Sequence, residues 1–219
     1  EIYNRLSRYP IPAWEWHIYA IDQMINDRGV LVDTSFARQA VSLGRKVNQE
    51  LLKKARGLGI ENPRSTPGMT DWLKKQGVQP LDMRRKTVES LAKQSTGIVR
   101  EGLDVRLELA KSSLSKYDAI LRCVSQDGRL HGLFYHFGGH TGRWSCKYVQ
   151  PQNLPQNHIA DLDTARNLVT AGDIEKIRND YGPPTGVLSQ LIRTVFLPPP
   201  DKIFLVADYS QIESRTLSW

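Results

Sequence analysis

The aspartate at the end of an apolar run is the first residue of this chain whose position suggests chemistry. Asp208 directly follows the run at 203–207, which predicts a buried β-strand, and a helix is predicted from Ser210 or Gln211. A strand holds such a carboxylate rigidly while the adjoining loop leaves it accessible, which suits a catalytic metal ligand. On this pattern alone, an N-cap for the following helix is the alternative.

The eight residues from Asp208 resemble motif A of the family A (DNA polymerase I-like) DNA polymerases. They read DYSQIESR, in agreement with the DYSQIE-x-R pattern of that motif. Two upstream stretches are similar to other family segments in the same order: TGRWS followed by QPQNLP at 141–155, and the IR-x-x-F stretch at 192–196. The QPQNLP form and the insert at 156–190 are most similar to the phage and prophage branch.

The resemblance implies a nucleotidyl-transfer enzyme. Family A members extend a primer 3′ end along a template, and two Mg²⁺ ions bridge the primer 3′-oxygen and the triphosphate. Asp208 takes the role of catalytic residue and metal ligand, and the backbone carbonyl of Tyr209 completes a metal shell. Primer–template DNA and deoxynucleoside triphosphates are therefore the expected partners, and Mg²⁺ is the expected cofactor.

Motif A also implies a set of nucleotide-binding residues, which are Tyr209, Ser210, Gln211, Ile212 and Glu213. Glu213 matches the position that closes over the sugar C2′ and rejects ribonucleotides, and Ile212 matches one that packs beside the nucleotide. The alternatives are an ordinary acid on a helix surface for Glu213 and a core residue for Ile212.

Three residues of the upstream stretches are implied to contact DNA. Arg143 matches the family arginine that reaches the minor groove at the primer terminus, where every base pair presents acceptors. Gln152 and Asn153 are neutral donors that suit the same acceptors. For these two, loop-stabilising bonds to the backbone are the alternative.

A helical stretch near the centre of the chain supplies further candidates for DNA contact. The apolar residues of 103–124 recur at spacings of four and three, which predicts one helix of roughly 33 Å with a heptad-like seam. Lys111, Ser112, Ser113 and Lys116 lie mostly off that seam, so we expect them to face outward and contact duplex phosphates. A solvated helix face is the alternative.

Apolar periodicity and capping residues predict the elements that position these candidates. Asp33 is a good N-cap for a helix that reaches Gly57, and Ser65-Thr66-Pro67 opens a shorter one that Gly77 ends. Residues 138–160 predict a long ordered loop. The other predicted helices are 13–28, 87–93, 161–171, 173–180 and 185–196, and the predicted extended segments are 30–32, 130–137 and 203–207.

These elements predict an α+β chain of two parts, a mostly helical, thumb-like part over 1–125 and an incomplete α/β palm over 126–219. Charge is unevenly distributed along the 219 residues, whose net charge is +7. The first 155 residues carry 24 Lys and Arg against 15 Asp and Glu, and the remainder carry 6 against 8. The basic first part favours a polyanionic partner, nucleic acid before an acidic membrane.

Composition excludes several classes of protein. No apolar run approaches the roughly 18–20 residues that a membrane span needs, so no membrane partner is expected. The two cysteines, Cys123 and Cys146, cannot form a disulfide scaffold or a four-cysteine zinc site. A reducing, cytoplasmic compartment of a bacterial host or phage-infected cell is expected.

The resemblance reaches only the beginning of the motif A helix, because the sequence stops at Trp219. In the family, the fingers helix that grips the triphosphate and motif C with a second metal-binding Asp lie beyond this point. One carboxylate cannot hold two metal ions, so we expect that this polypeptide does not polymerise DNA without a C-terminal polymerase fragment. The alternatives are half of a split polymerase that needs a partner chain and a non-catalytic duplex-DNA-binding remnant.

Overall fold

A computed structural model describes residues 1–111, 113–207 and 209–218 of the chain. Helices dominate this described part, and two small antiparallel sheets accompany them, which confirms the predicted α+β class. The helices are α1 (Ile2–Leu6), α2 (Ala13–Arg28), α3 (Thr34–Gly57), α4 (Thr66–Lys75), α5 (Arg85–Gln94), α6 (Gly97–Leu109), α7 (Ser113–Cys123), α8 (Leu162–Ala171), α9 (Ile174–Tyr181), α10 (Pro184–Leu191) and α11 (Ile212–Leu217). Short 3₁₀ turns occupy Pro151–Asn153 and Ile192–Val195. None of the helices in the described ranges is long and apolar enough to cross a membrane.

The helix α3 is the centre of the fold. Its N-cap is the predicted one, because the Asp33 side chain accepts a hydrogen bond from the Phe36 N–H at 2.8 Å. Its buried face contacts α6, α7, α8 and α10. The buried residues of α3 are Phe36, Ala37, Ala40, Val41, Leu43, Gly44, Val47, Leu51 and Ala55. One continuous apolar core therefore includes residues from both sides of the predicted boundary near residue 125, and that boundary stays a prediction.

The prediction of one long helix over 103–124 is wrong. Helix α6 ends at Leu109 and α7 begins at Ser113, with Ala110 as the C-cap of α6. The two helices also have different main partners, since α6 packs on α5 and α7 packs on α3. The sequence KSSLS at 111–115 explains the break, because serine side chains compete for backbone hydrogen bonds and disfavour a helix interior.

The predicted single strand over 130–137 is also wrong. The structure has two short strands here, β2 (Arg129–Leu130) and β3 (Phe134–Tyr135), which belong to different sheets. Strand β2 pairs with β1 (Val30–Leu31), and β3 pairs with β4 (Ser145–Cys146). Gly132 lies between them at φ +64°, a left-handed conformation that turns the chain from one sheet to the other.

A single arginine joins three elements at the start of α3. Arg166 of α8 forms an ion pair with Asp33 at 2.6 Å and donates to the carbonyl and hydroxyl oxygens of Thr194 at 2.6 and 2.7 Å. Its guanidinium also lies 4.0 Å from the centre of the Phe36 ring. The side chains of the ion pair are mostly buried. Arg166 thereby fixes α3, α8 and the turn at Ile192–Val195 to one another.

The prediction of a buried strand over 203–207 is wrong for this structure. Residues 202–207 have no regular secondary structure, and Ile203, Leu205 and Val206 are between 79 and 92% exposed. A strand requires a hydrogen-bonding neighbour, and no described strand lies beside this segment. The helix that follows, α11, begins at Ile212 rather than at Ser210 or Gln211.

Candidate active site

The arginine of the TGRWS segment is presented by the hairpin of β3 and β4. Phe134 pairs with Cys146, and Tyr135 pairs with Ser145. Helix α2 anchors the hairpin, because Asn26 donates to the Phe134 carbonyl at 2.8 Å and accepts from the Phe134 N–H at 3.0 Å. Cys146 is buried, and this burial raises the pKa of its thiol, as expected for a small structural residue.

The loop between β3 and β4 turns sharply at its glycines. The Gly139 N–H donates to the Arg143 carbonyl at 3.2 Å, and Gly142 adopts φ +75°. A Cβ at Gly142 would lie 3.1 Å from the Phe137 ring, so this position is closed to larger residues. The Trp144 ring contacts His136 at 5.4 Å between centroids. These contacts leave the side chain of Arg143 free to project into solvent.

Arg143 reaches the motif A segment directly. Its Nη2 atom donates to Glu213 Oε1 at 2.7 Å, across 70 residues of sequence. Both side chains are exposed, at 72% for Arg143 and 77% for Glu213. A pair so accessible to water contributes little stability, and other charged or polar groups can replace either partner. The structure therefore joins two candidate residues that the sequence analysis had assigned to separate segments.

Two basic residues hold the backbone of the QPQNLP segment and of Val149, the residue directly before it. Arg193, of the IR-x-x-F stretch, donates to the Leu154 carbonyl at 2.6 Å and to the Pro155 carbonyl at 2.9 Å. Lys116 of α7 donates to the Val149 carbonyl at 3.3 Å. Leu154 is buried, whereas Gln152 and Asn153 are exposed on the short 3₁₀ turn. The segment is fixed through its backbone, so those two amides remain accessible to a ligand.

The lysines of the predicted DNA-contacting row are less exposed than expected. Lys111 is half-buried, its Nζ lies 2.9 Å from where a Cβ on Gly186 would be, and burial lowers its pKa. The expectation that it faces outward is therefore wrong. Lys116 is also half-buried. Ser112 and the side chain of Ser113 lie outside the described residues, and DNA contact by these four residues stays a prediction.

The candidate nucleotide-binding residues lie in an exposed stretch. Asp208 lies outside the described residues, so its predicted roles stay predictions. Tyr209 is 77% exposed, and Ser210 and Gln211 are exposed as well. Ile212 is half exposed at the start of α11, which excludes the alternative that it is a core residue of the described fold.

The described residues contain no group of three or more His, Cys, Asp or Glu side chains that could hold a metal ion. Glu213, the described acid of motif A, is paired with Arg143. The donor set of the described part is therefore too small for a magnesium site by itself. Asp208 and a carboxylate from elsewhere would have to complete it.

The sequence analysis did not identify the structural roles of two basic residues. Arg193 had been noted only as part of a motif, and Lys116 only as a DNA contact, yet both hold the loop that presents Gln152 and Asn153. The position of Arg193, in a short segment rich in apolar residues and followed by three prolines, could have indicated a structural role. Such a charge in a half-buried segment needs acceptors, and loop carbonyls supply them.

Comparison with known proteins identifies the family. The family model for DNA polymerase family A matches residues 65–219. The chain is 39% identical over 221 residues to a DNA polymerase of Bacillus phage SP02, in an alignment that covers all of this chain and 34% of the phage protein. The chain thus spans about a third of the length of this curated relative. No solved structure matches the chain. Both matches agree with the predicted resemblance, the relative also agrees with its phage type, and the chain belongs to DNA polymerase family A.

Proposed function

We propose that this chain forms the thumb and part of the palm of a template-directed DNA polymerase, with a thumb over 1–125 and a partial palm over 126–219. The observation that carries the proposal is the 2.7 Å contact between Arg143 and Glu213. The family resemblance assigns Arg143 to the primer terminus and Glu213 to the sugar of the incoming nucleotide, which are neighbouring positions of one active site. Their direct contact supports that assignment, because the sequence separates them by 70 residues.

Arg143 supplies the contact to the primer terminus in this proposal. Its guanidinium is exposed and donates in a fixed plane, which suits the purine N3 and pyrimidine O2 acceptors of the minor groove. These acceptors occur at every base pair, so the contact tests pair shape without reading sequence. Gln152 and Asn153 add neutral donors from a loop whose backbone is already fixed by Arg193 and Lys116.

Motif A supplies the contact to the incoming nucleotide. Glu213 lies in the first turn of α11, where its carboxylate closes over the sugar C2′ once Arg143 has moved to the primer. Ile212 offers its half-exposed side chain to the nucleotide, and Tyr209 to Gln211 line the approach. The nucleotide would thus be held by side chains that have few contacts within the described fold.

Magnesium remains part of the proposal through Asp208 and the Tyr209 carbonyl. When bound, two such ions would stabilise the charge that develops on the primer oxygen and the triphosphate. The described residues do not complete the donor set, so a second carboxylate must come from a C-terminal polymerase segment.

A primer-extension assay tests the proposed function. The chain is mixed with a C-terminal segment that corresponds to the part of the SP02 polymerase beyond the alignment, together with Mg²⁺, primer–template and four nucleotides. We expect extension from the mixture and none from either piece alone. Asp208→Asn should abolish this extension and leave duplex binding nearly unchanged. Asp201→Asn, the same change seven residues upstream, should leave both unchanged.

Two results would contradict the proposal. If the Asp208→Asn variant extends primers as fast as the Asp201→Asn variant, Asp208 takes no part in the reaction. Duplex binding without extension by any supplied C-terminal segment would favour the alternative of a non-catalytic duplex-binding module. As part of the same proposal we place the protein in the bacterial cytoplasm, where its two free cysteines, Cys123 and Cys146, would stay reduced.

A further inference from the structure

Residues 156–190 lie between the QPQNLP segment and the IR-x-x-F stretch and form a folded part of the core. They contain α8, α9 and most of α10, and we call them the helical insert. Helices α8 and α10 pack on α3, and α9 packs on both of them. The buried apolar side chains of the insert include Ala165, Leu168, Val169, Ile177, Val187 and Leu188. The insert is therefore built into the helical body.

The charge of the helical insert does not favour a nucleic-acid partner. The insert contains five acidic and three basic residues, whereas residues 1–155 have a basic excess. Two of its three basic side chains form ion pairs within the chain: Arg166 with Asp33, and Arg178 with Glu50 and Glu175. An acidic surface repels phosphate groups, so the insert is suited to hold other elements rather than to bind DNA.

Hydrogen bonds fix the helical insert near both of its ends. At its start, the His158 N–H donates to Gln190 Oε1 at 2.8 Å, which ties the beginning of the insert to its last residue. In α10, the buried Leu188 carbonyl accepts from the Tyr117 hydroxyl of α7 at 2.9 Å. The insert is therefore held against α7 and against the turn that follows it.

Arg166 of the helical insert restrains the turn that carries Arg193. Its Nη1 atom donates to both oxygens of Thr194, the residue next to Arg193, at 2.6 and 2.7 Å. Its Nη2 atom donates to Asp33 Oδ2 at 2.6 Å, and the Asp33 N–H donates to the Val195 carbonyl at 2.8 Å. Because a guanidinium donates in a rigid plane, these bonds fix the turn relative to α3 and α8.

Arg193 extends this restraint to the loop that presents Gln152 and Asn153. Its side chain donates to the Leu154 carbonyl at 2.6 Å and to the Pro155 carbonyl at 2.9 Å. The two amide side chains immediately before these carbonyls are exposed. An unbroken series of contacts therefore links the start of α3, through the insert and the turn, to the loop with the candidate minor-groove donors.

We propose that the helical insert positions the loop at 149–155, which we call the primer-terminus loop, and that Arg166 is the positioning residue that links the two. Exposed loops are among the least stable parts of a fold, whereas donors to a primer terminus must stay within hydrogen-bond reach of their acceptors. Arg166 supplies the restraint from a distance and does not itself touch DNA. The inference rests on the proposed function for the role of the loop, and it gives a role to a segment that lies between the family motifs.

Hydrogen exchange of the 219-residue chain, followed by mass spectrometry, tests the restraint without requiring activity. The first test variant is Thr194→Val, which removes the hydroxyl that accepts from Arg166 and keeps the backbone carbonyl. The second is Arg166→Lys, which keeps a positive charge beside Asp33 but loses the planar set of donors. The control is Thr185→Val, the same change at a residue of the insert whose hydroxyl donates instead to Glu108 of α6 at 3.3 Å. Thermal unfolding of each variant verifies that the fold is retained.

We expect the amides of the primer-terminus loop to exchange about fivefold faster in both test variants than in the native chain, as the loss of one restraining hydrogen bond would produce. In the control they should exchange at the native rate. Loop amides exchange through local opening, so a general loss of stability does not reproduce this difference. Native exchange rates in the loop of a folded test variant, or an equal increase in the control, would overturn the proposal.

Primer extension by the mixture of this chain with the C-terminal polymerase segment tests the consequence for the primer terminus. We expect both test variants to extend a paired terminus about tenfold more slowly and to lose less on a mispaired terminus, because a mispair already lies out of line with the donors. The control should extend both termini at the native rates. Faster loop exchange with native extension of the paired terminus would overturn the positioning role. Absence of extension by the native mixture would instead contradict the proposed function, and the exchange measurement would still decide whether the insert restrains the loop.

Discussion

The helical body around α3 and the segment at 201–218 are built in opposite ways. In the body, Tyr117 of α7 is fully buried, its ring contacts Phe36 edge-on, and its hydroxyl donates to the Leu188 carbonyl at 2.9 Å. In the segment at 201–218, every described residue is exposed. The segment nevertheless carries motif A, the stretch with the clearest chemical meaning in the sequence.

This difference separates the residues that stabilise the fold from the residues expected to act on DNA. Burial and hydrogen bonds fix the body through contacts among its own helices. The contact that joins the segment to the 141–145 loop is an exposed ion pair, Arg143–Glu213. Because exposed pairs contribute little, this contact alone holds the motif A segment only weakly.

Removing one arginine from each region should have very different effects on stability. Arg166→Gln deletes a mostly buried ion pair and two hydrogen bonds to Thr194, and it leaves the Asp33 carboxylate without its partner. We expect it to lower the free energy of unfolding by about 2–3 kcal/mol. Arg143→Gln deletes an exposed pair and should lower it by less than about 1 kcal/mol. Urea denaturation measures the free energy of unfolding of both variants. Equal losses would mean that the two regions do not differ in how they are stabilised.

Helix α6 packs closely against the Trp72 ring inside the helical body. A Cβ at Gly102 of α6 would come within 2.4 Å of the Trp72 ring, and that ring is fixed by its bond to the Leu58 carbonyl at 2.9 Å. Gly102→Ala should therefore destabilise the protein by about 1–2 kcal/mol, although alanine favours a helix. Gly57→Ala is the matched control at the end of α3, where nothing lies within 4 Å, and we expect it to be neutral or slightly stabilising. If Gly102→Ala unfolded at a higher temperature than Gly57→Ala, the core would accommodate the added methyl group.

The smallest expected effect is a pH dependence at the edge of the body. His131 lies between Asp127 Oδ2 at 3.0 Å and the Asn26 carbonyl at 3.2 Å, so only the imidazolium donates to both oxygens. The hydrogen bond to Asp127 raises the pKa of His131 above its ordinary value. Because the pKa of His131 is higher in the folded than in the unfolded protein, the histidine stabilises the fold fully at pH values below its unfolded-state pKa. This contribution is lost as the pH rises through the folded-state pKa.

We therefore expect the melting temperature of the native protein to fall slightly more between about pH 5 and about pH 8 than that of His131→Gln. His17→Gln, at an exposed position of α2, serves as the control and should keep the native dependence. A His131→Gln profile parallel to the native one would mean that the histidine does not contribute to stability in this way.

Much of the fold could be predicted because its causes are local in sequence. The Asp33 and Ser65 N-caps, the helix of 34–57 and the end of α2 before Gly29 follow from capping residues and apolar spacing. The split between α6 and α7 was not predicted, because a seam that continues across residues 109–113 conceals a change of packing partner. Segment 203–207 was predicted as a strand because the apolar run does not specify which neighbour provides the hydrogen bonds.

The candidate site could be predicted as a set of residues and less well as an arrangement. Motif spacing identified Arg143 and Glu213 but gave no reason to expect that they touch. Lys111 turned inward because α10 packs beside the end of α6, a contact between residues about 75 positions apart in sequence.

The proposed contact between Arg143 and the minor groove at the primer terminus can be measured directly. The complemented polymerase is assayed with a primer whose terminal guanine lacks the N3 acceptor, with and without Arg143→Ala. We expect either change alone to slow incorporation by about tenfold or more, and the second change to add little, because both remove the same hydrogen bond. If the two rate reductions multiply independently, Arg143 does not contact this acceptor.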